Sequence, residues 1–164
     1  MRKCLLTVIA ALLPALAVAA AAEDGPILSS EGAQRAYDEG YFYAEAYRAG
    51  DYIFVSGKLV GAWDGEPIGI DGFKEDTRRV FRDLKRALEA GGSGLEDIVM
   101  IRSFHIFDSP LFDGTKQDQI AAFQQVKVEF VPKPHPAQTS VGVRELLPDL
   151  GFVEVEVVAY APLD

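Results

Sequence analysis

The chain holds one cysteine, Cys4, and two histidines, His105 and His135, in 164 residues. A single thiol excludes an internal disulfide and any cysteine-rich metal centre. The histidines stand far apart, with no acidic partner at ligand spacing, so no metal site is expected. No glycine-rich loop follows a strand and opens a helix, which leaves nucleotide binding without support, and no cofactor is expected. Ser56 or Ser140 could enter a Ser-His-Asp arrangement on paper, yet neither sits in a nucleophile elbow. Positive charge is scarce as well: 16 Lys and Arg against 25 Asp and Glu give a net charge of −9. Such a polyanion repels phosphate backbones and anionic lipid, which argues against nucleic-acid and membrane-surface partners.

One stretch is almost free of polar side chains. Arg2 and Lys3 precede an apolar run from Cys4 to Ala22, which closes on small residues before Glu23 and Asp24. A basic start, an apolar middle and an Ala-x-Ala exit make a secretory signal peptide over residues 1–22. About 20 apolar residues could instead span a bilayer. Pro14 within the run, its alanine-rich end and the lack of a following basic cluster favour cleavage, after Ala22 or Ala19. The expected product is exported, periplasmic or extracellular, and free of the membrane. Removing 22 of 164 residues leaves 142, takes Cys4 away and, with Arg2 and Lys3 gone, moves the net charge from −9 to −11. That length suits one domain with a substantial core.

Residues 23–40 read as a loose lead-in and residues 41–164 as a single α+β domain. Tyr-Phe-Tyr-Ala-Glu-Ala-Tyr at 41–47 is strand-like, 48–51 is a turn and 52–56 is a second strand, giving a hairpin. Sheet character continues over 58–62 until Asp64-Gly65. Phe73, Thr77, Val80, Phe81, Leu84 and Leu88 then recur at helical spacing, with Asp71 as candidate cap and Gly91-Gly92 as the stop. Residues 98–107 return to strand. Ile120, Phe123, Lys127 and Phe130 mark a second helix over 115–130, and two strands follow at 139–143 and 152–161. The expectation is a mixed sheet of about six strands with two helices on one face. In the last strand Val153, Val155, Val157 and Ala159 alternate with Glu154, Glu156, Val158 and Tyr160. The second set makes neither a good core nor a good solvent face, which fits closure by other subunits.

The candidate chemistry lies in a polar set spread along the strands: Tyr43, Ser56-Gly57, Pro136-Ala137-Gln138-Thr139-Ser140 and Glu154. Their order, with the segment from Leu88 to Val99 and the acidic Val153-Glu154-Val155-Glu156, resembles the RidA/YjgF family, also labelled L-PSP endoribonucleases. The similarity runs over roughly residues 43–160. It implies a chorismate-mutase-like α+β fold, a homotrimer and small-molecule clefts between subunits. It also implies hydrolysis of imines or enamines derived from amino acids, releasing ammonia and a 2-oxo acid. In that chemistry a glutamate handles water and an arginine clamps the substrate carboxylate. Carried over, Glu154 is the catalytic candidate, and Tyr43, Ser56, Gln138 and Ser140 line the cleft.

The departure is Gln138, which stands where the family has its arginine. An uncharged amide cannot form the forked ion pair with a carboxylate. A hydrogen bond to a charged group contributes about 1.5–3 kcal/mol, so the loss costs at least about tenfold in affinity. Lys58, Arg102 and Arg144 are the cations considered as substitutes. Two readings follow: a hydrolase of a small C=N substrate, or a non-catalytic module holding a metabolite in the same cleft. Both expect Gln138 to face Glu154 across an intersubunit pocket. Ribonuclease activity ranks third, since an acidic chain without a histidine pair is poorly equipped for RNA.

Overall fold

The structure, a computed structural model, describes residues 23–163; the expected signal peptide and Cys4 lie outside them. Six strands form one sheet: β1 (Gly25–Ile27), β2 (Ala46–Ala49), β3 (Tyr52–Gly61), β4 (Ile98–His105), β5 (Ala137–Gly142) and β6 (Gly151–Tyr160). Their spatial order is β1-β2-β3-β6-β4-β5. Every neighbouring pair is antiparallel except β4 and β5, which run parallel. A parallel pair needs a crossover, and α3 (Lys116–Phe130) supplies it. The other helices are α1 (Glu31–Asp38) and α2 (Ile70–Ala90). The architecture is the expected mixed α+β sheet.

Period-two burial in β6 places the core. Val153, Val155, Val157 and Ala159 are buried under α2 and α3, while Glu154, Glu156, Val158 and Tyr160 face the other side. On α2 the anticipated stripe is buried, and Ala87 joins it. A fully buried Leu, Val or Phe side chain contributes about 1.5–3 kcal/mol, so this stripe, rather than helix propensity, docks α2. The helix ends where Gly92 takes φ of 76°, a conformation cheap only for glycine. Its cap is not Asp71 but Gly69; Asp71 lies in the first turn, where its charge favours the helix dipole.

Three local expectations change. The first-strand residues 41–45 are not paired in the sheet; β2 begins at Ala46, and the turn falls at Gly50-Asp51. Arg48 is therefore a strand residue. It is 1 % exposed, and its guanidinium donates to the carbonyls of Gly50, Gly91 and Ala161 at 3.1, 2.7 and 2.8 Å. Residues 23–40 are not a loose lead-in: β1 pairs with β2, and α1 is capped by Ser30, whose hydroxyl accepts from the Ala33 amide. This makes three helices rather than two, although α1 buries none of its residues. On α3 the buried face is Gln119, Ala122, Phe123 and Val126, leaving Ile120 partly exposed. A glutamine can turn inward here because His105 meets its amide.

Candidate functional site

The first half of the site begins with an irregularity in β3. Val55 pairs with Val157 and Lys58 with Val155, so β3 spends three steps where β6 spends two. The extra residue is a β-bulge at Ser56-Gly57. It turns Ser56 toward the chain leaving α1: the Ser56 amide donates to the Glu45 carbonyl at 3.0 Å and the hydroxyl to the Ala44 carbonyl at 2.8 Å. Gly57 has no side chain for a reason. A Cβ there would overlap Oε1 of Glu154 and lie 2.6 Å from its carboxyl carbon. Glu154 thus rests on the bulge backbone. Tyr41, Tyr43, Ser56, Gly57, Trp63 and Glu154 line a cavity of about 510 Å³ on the helix-free face.

Burial pushes the Glu154 carboxyl above the usual glutamate range, and the neighbouring Glu156 adds repulsion. No donor among the described residues offsets this. Glu156 is better placed, with Arg102 Nη1 at 2.6 Å. A cavity carboxyl whose affinity for a proton is raised by burial can accept a proton and return it, which acid-base chemistry requires.

The second half lies elsewhere. Gln138 pairs in register with Ile101, and Ser140 with Ser103. Ser103 in turn pairs with buried Val155. Gln138 and Ser140 therefore share the helix face of the sheet, and Glu154 points from the opposite face. Within one chain Gln138 and Glu154 lie on opposite faces of the sheet, and the expected confrontation is one between subunits. Tyr43, Ser56 and Glu154 are brought together; Gln138 and Ser140 form a separate group.

That group has its own cation. Lys127 Nζ donates to Gln138 Oε1 at 2.6 Å, and Gln138 Nε2 donates to Ser140 Oγ at 3.0 Å. Partial burial pulls the Lys127 amine below the usual lysine range. The cations considered from the sequence are engaged or distant. Lys58 pairs with Glu45 at 2.7 Å, Arg102 with Glu156, and Arg144 is exposed beyond β5. Burial alone would raise Glu45, but hydrogen bonds from Lys58 and Ser29 outweigh it and hold the carboxyl below its ordinary value.

Inward from Ser140 the polar line continues. Ser140 Oγ lies 2.8 Å from Ser103 Oγ, Ser103 Oγ 3.0 Å from His105 Nε2, and His105 Nδ1 3.0 Å from Gln119 Oε1. Desolvation lowers the His105 pKa, and the Gln119 hydrogen bond only partly opposes it. A cavity of about 280 Å³ opens at the Ser140 end, walled by Phe107, Lys116, Ile120, Phe123 and Gln124. Sequence reasoning passed over Lys127, Ser103, His105 and Gln119. One signal was present: Ile101, Ser103 and His105 alternate along β4, which puts two polar residues on its buried face.

Comparison with known proteins places the fold and the family. A family model described as Endoribonuclease L-PSP matches residues 34–161. RutC family protein YjgH of Escherichia coli is 34 % identical over 122 residues, covering 73 % of this chain and 83 % of that protein. A protein of Dermatophagoides farinae named 2-iminobutanoate/2-iminopropanoate deaminase is 27 % identical over 116 residues, covering 70 % and 81 %. The solved structure of protein YjgH superposes with a TM-score of 0.59 at 33 % identity, covering 77 % of this chain and 88 % of that one. With its family match spanning most of the sheet and all of α2 and α3, the chain belongs to the endoribonuclease L-PSP family, that is, the RidA/YjgF family.

Proposed function

We propose that this chain is an exported RidA-like hydrolase that deaminates a small imine or enamine in clefts formed between three copies. The observation that carries the reading is Glu154, lodged against Gly57 in a cavity with its carboxyl pushed above the usual glutamate range by burial. In the reaction, Glu154 takes a proton from water as the oxygen adds to the C=N carbon. That proton passes to the nitrogen to give a carbinolamine. Glu154 then moves the hydroxyl proton to the same nitrogen, and the C–N bond breaks to leave a carbonyl compound and ammonia, an enamine reacting through its imine tautomer. The resemblance to a protein named as an imine deaminase supports the substrate class.

Association is what joins the two halves in this reading. Tyr47, Tyr52, Phe54 and Tyr160 lie half-exposed on strands β2, β3 and β6, and Tyr52 and Tyr160 pack at 5.4 Å. An apolar face of this kind supports burial against another copy. A neighbour seated there would bring its Gln138–Lys127 pair toward the Glu154 cavity. Lys127 then supplies the positive charge that Gln138 lacks, and the Gln138 amide supplies a donor. Export is proposed on residues 1–22 read as a cleaved signal, and N-terminal sequencing that finds Met1 retained on the exported protein refutes that cleavage.

The test is ammonia release from freshly generated 2-aminoacrylate or 2-aminocrotonate. Wild-type activity that disappears in Glu154→Ala supports the hydrolase. The alternative, a binding module, rests on Gln138 in the arginine's place. It predicts a silent wild type and activity gained in Gln138→Arg.

A further inference from the structure

We propose that Ser140 is a nucleophilic serine, activated through Ser103 by His105, which accepts short acyl groups from small carboxylic esters. The inference needs one chain only and makes no use of Glu154. It rests on the direction of the hydrogen-bond line, which is fixed from both ends.

At the inner end, Gln119 Nε2 faces the Ile106 carbonyl at 3.4 Å, so the oxygen of that amide is the atom facing His105. An oxygen acceptor there requires the proton on Nδ1 and leaves Nε2 with its lone pair toward Ser103. At the outer end, an ammonium only donates, so Lys127 fixes Gln138 with its oxygen inward and its NH2 toward Ser140. Ser140 Oγ accepts that bond and has its own proton free for Ser103 Oγ; Ser103 then donates to His105 Nε2. Every donor finds an acceptor in one sense. The line leads protons from Ser140 to the unprotonated Nε2 that the Gln119 contact fixes on the imidazole.

A purely structural role explains such a line poorly. Ser103, His105 and Gln119 are at most 1 % exposed in a core that is mostly apolar. Apolar residues of similar volume would serve packing without needing partners. This line instead runs out of the core and ends on an exposed hydroxyl. That hydroxyl lines a cavity of about 280 Å³, large enough for a short acyl ester, with phenylalanine walls at Phe107 and Phe123. Lys116 Nζ stands 4.7 Å over the Phe107 ring and lines the same cavity, where a positive charge favours a developing oxyanion.

The steps balance. Ser140 Oγ attacks the carbonyl carbon; its proton moves to Ser103 Oγ, and the Ser103 proton moves to His105 Nε2. The tetrahedral adduct collapses, the bond to the alcohol oxygen breaks, and the relay run backward protonates that oxygen. Water then attacks the acyl-serine by the same route. The net change is ester plus water to acid plus alcohol, with Ser140 restored.

The experiment treats the mature protein with p-nitrophenyl acetate and, separately, with a fluorophosphonate, followed by intact mass and peptide mapping. The expected result is one adduct on Ser140, absent in Ser140→Ala. Ser103→Ala should slow the reaction by about a hundredfold, within the usual range for loss of a general base. The wild-type rate should level off with rising pH once His105 is neutral. Labelling elsewhere, equal rates in wild type and Ser140→Ala, or a rate climbing about tenfold per pH unit without a plateau, as for an unassisted hydroxyl, overturns the proposal. Should Ser103→Ala fail to fold, the wild-type pH profile and the mapped adduct decide it. Ammonia release plays no part in this readout, so either claim can fail alone.

Discussion

The carboxylate of Glu154 occupies the space where a side chain at Gly57 would begin. A methyl group at that position must displace it. Gly57→Ala should leave the sheet formed, because the bulge is already outside regular pairing. Misplacing a catalytic group by about 1 Å can cost on the order of a hundredfold. Ammonia release by Gly57→Ala should therefore fall by at least tenfold relative to wild type, with an unchanged far-UV spectrum. Wild-type turnover in this variant would detach Glu154 from the reaction.

Glu154 also makes stability depend on pH in a stated direction. Its folded pKa is raised above the reference value of 4.5, first by burial and then by Glu156. The folded state therefore holds the proton more tightly than the unfolded state. That contribution is fully present below pH 4.5 and is lost as pH rises through the higher folded value. Glu154→Gln, which cannot ionise, should gain on wild type across that window. Thermal unfolding at pH 4 and pH 7 checks this: the melting temperature of the variant minus that of wild type should be larger at pH 7.

Much of this architecture was legible in the residues, and the reasons are local. The alternation in β6 and the apolar stripe on α2 each encode one face in a single unbroken period, so they read correctly without tertiary information. Arg48 misled because its burial depends on three carbonyls far apart in sequence. Residues 23–40 misled because β1 gains its order only from its pairing with β2. The site divides the same way. Tyr43, Ser56 and Glu154 converge through the β3 bulge. Gln138 lies on the other face, since odd and even positions of a strand oppose one another and sheet register fixes which is which. Lys127 was read as part of an amphipathic stripe, although its ammonium reaches across to β5.

Arg48 joins the end of α2, the β2–β3 turn and the chain after β6 through three carbonyls. Arg48→Ala removes all these donors and leaves buried acceptors unpaired. Hydrogen bonds to a charged group are each worth about 1.5–3 kcal/mol, so a loss of about 3 kcal/mol or more is expected. Arg48→Met keeps much of the packing volume and should lie between wild type and Arg48→Ala. Urea denaturation would show the ordering in the midpoints, and near-equal midpoints would remove Arg48 as the fastener of these three segments.

His105 predicts the opposite pH trend from Glu154. Desolvation lowers its folded pKa from 6.5, outweighing the Gln119 hydrogen bond. Protonation therefore favours the unfolded chain, and stability falls as pH drops below 6.5 toward the lower folded value. His105→Gln removes the titrating group. Between pH 7 and pH 5 wild type should lose more melting temperature than this variant. Parallel losses would mean that the imidazole gains a compensating partner on protonation.

The aromatic face supplies the last test, because it separates assembly from chemistry. Phe54 pairs in register with Tyr47 on one side and Val158 on the other, outside the buried core and away from the Glu154 cavity lining. A charge there costs a monomer little, since the position is already half in water. In the proposed trimer the same charge would be buried against a neighbour without a partner, at a penalty of several kcal/mol. Phe54→Glu should therefore run as a monomer in sedimentation velocity at micromolar concentration while keeping its fold. If the cleft needs residues from two copies, ammonia release should vanish in this variant although Glu154, Gly57, Gln138 and Lys127 are untouched. A folded Phe54→Glu monomer that still releases ammonia at the wild-type rate would place the whole reaction within one chain.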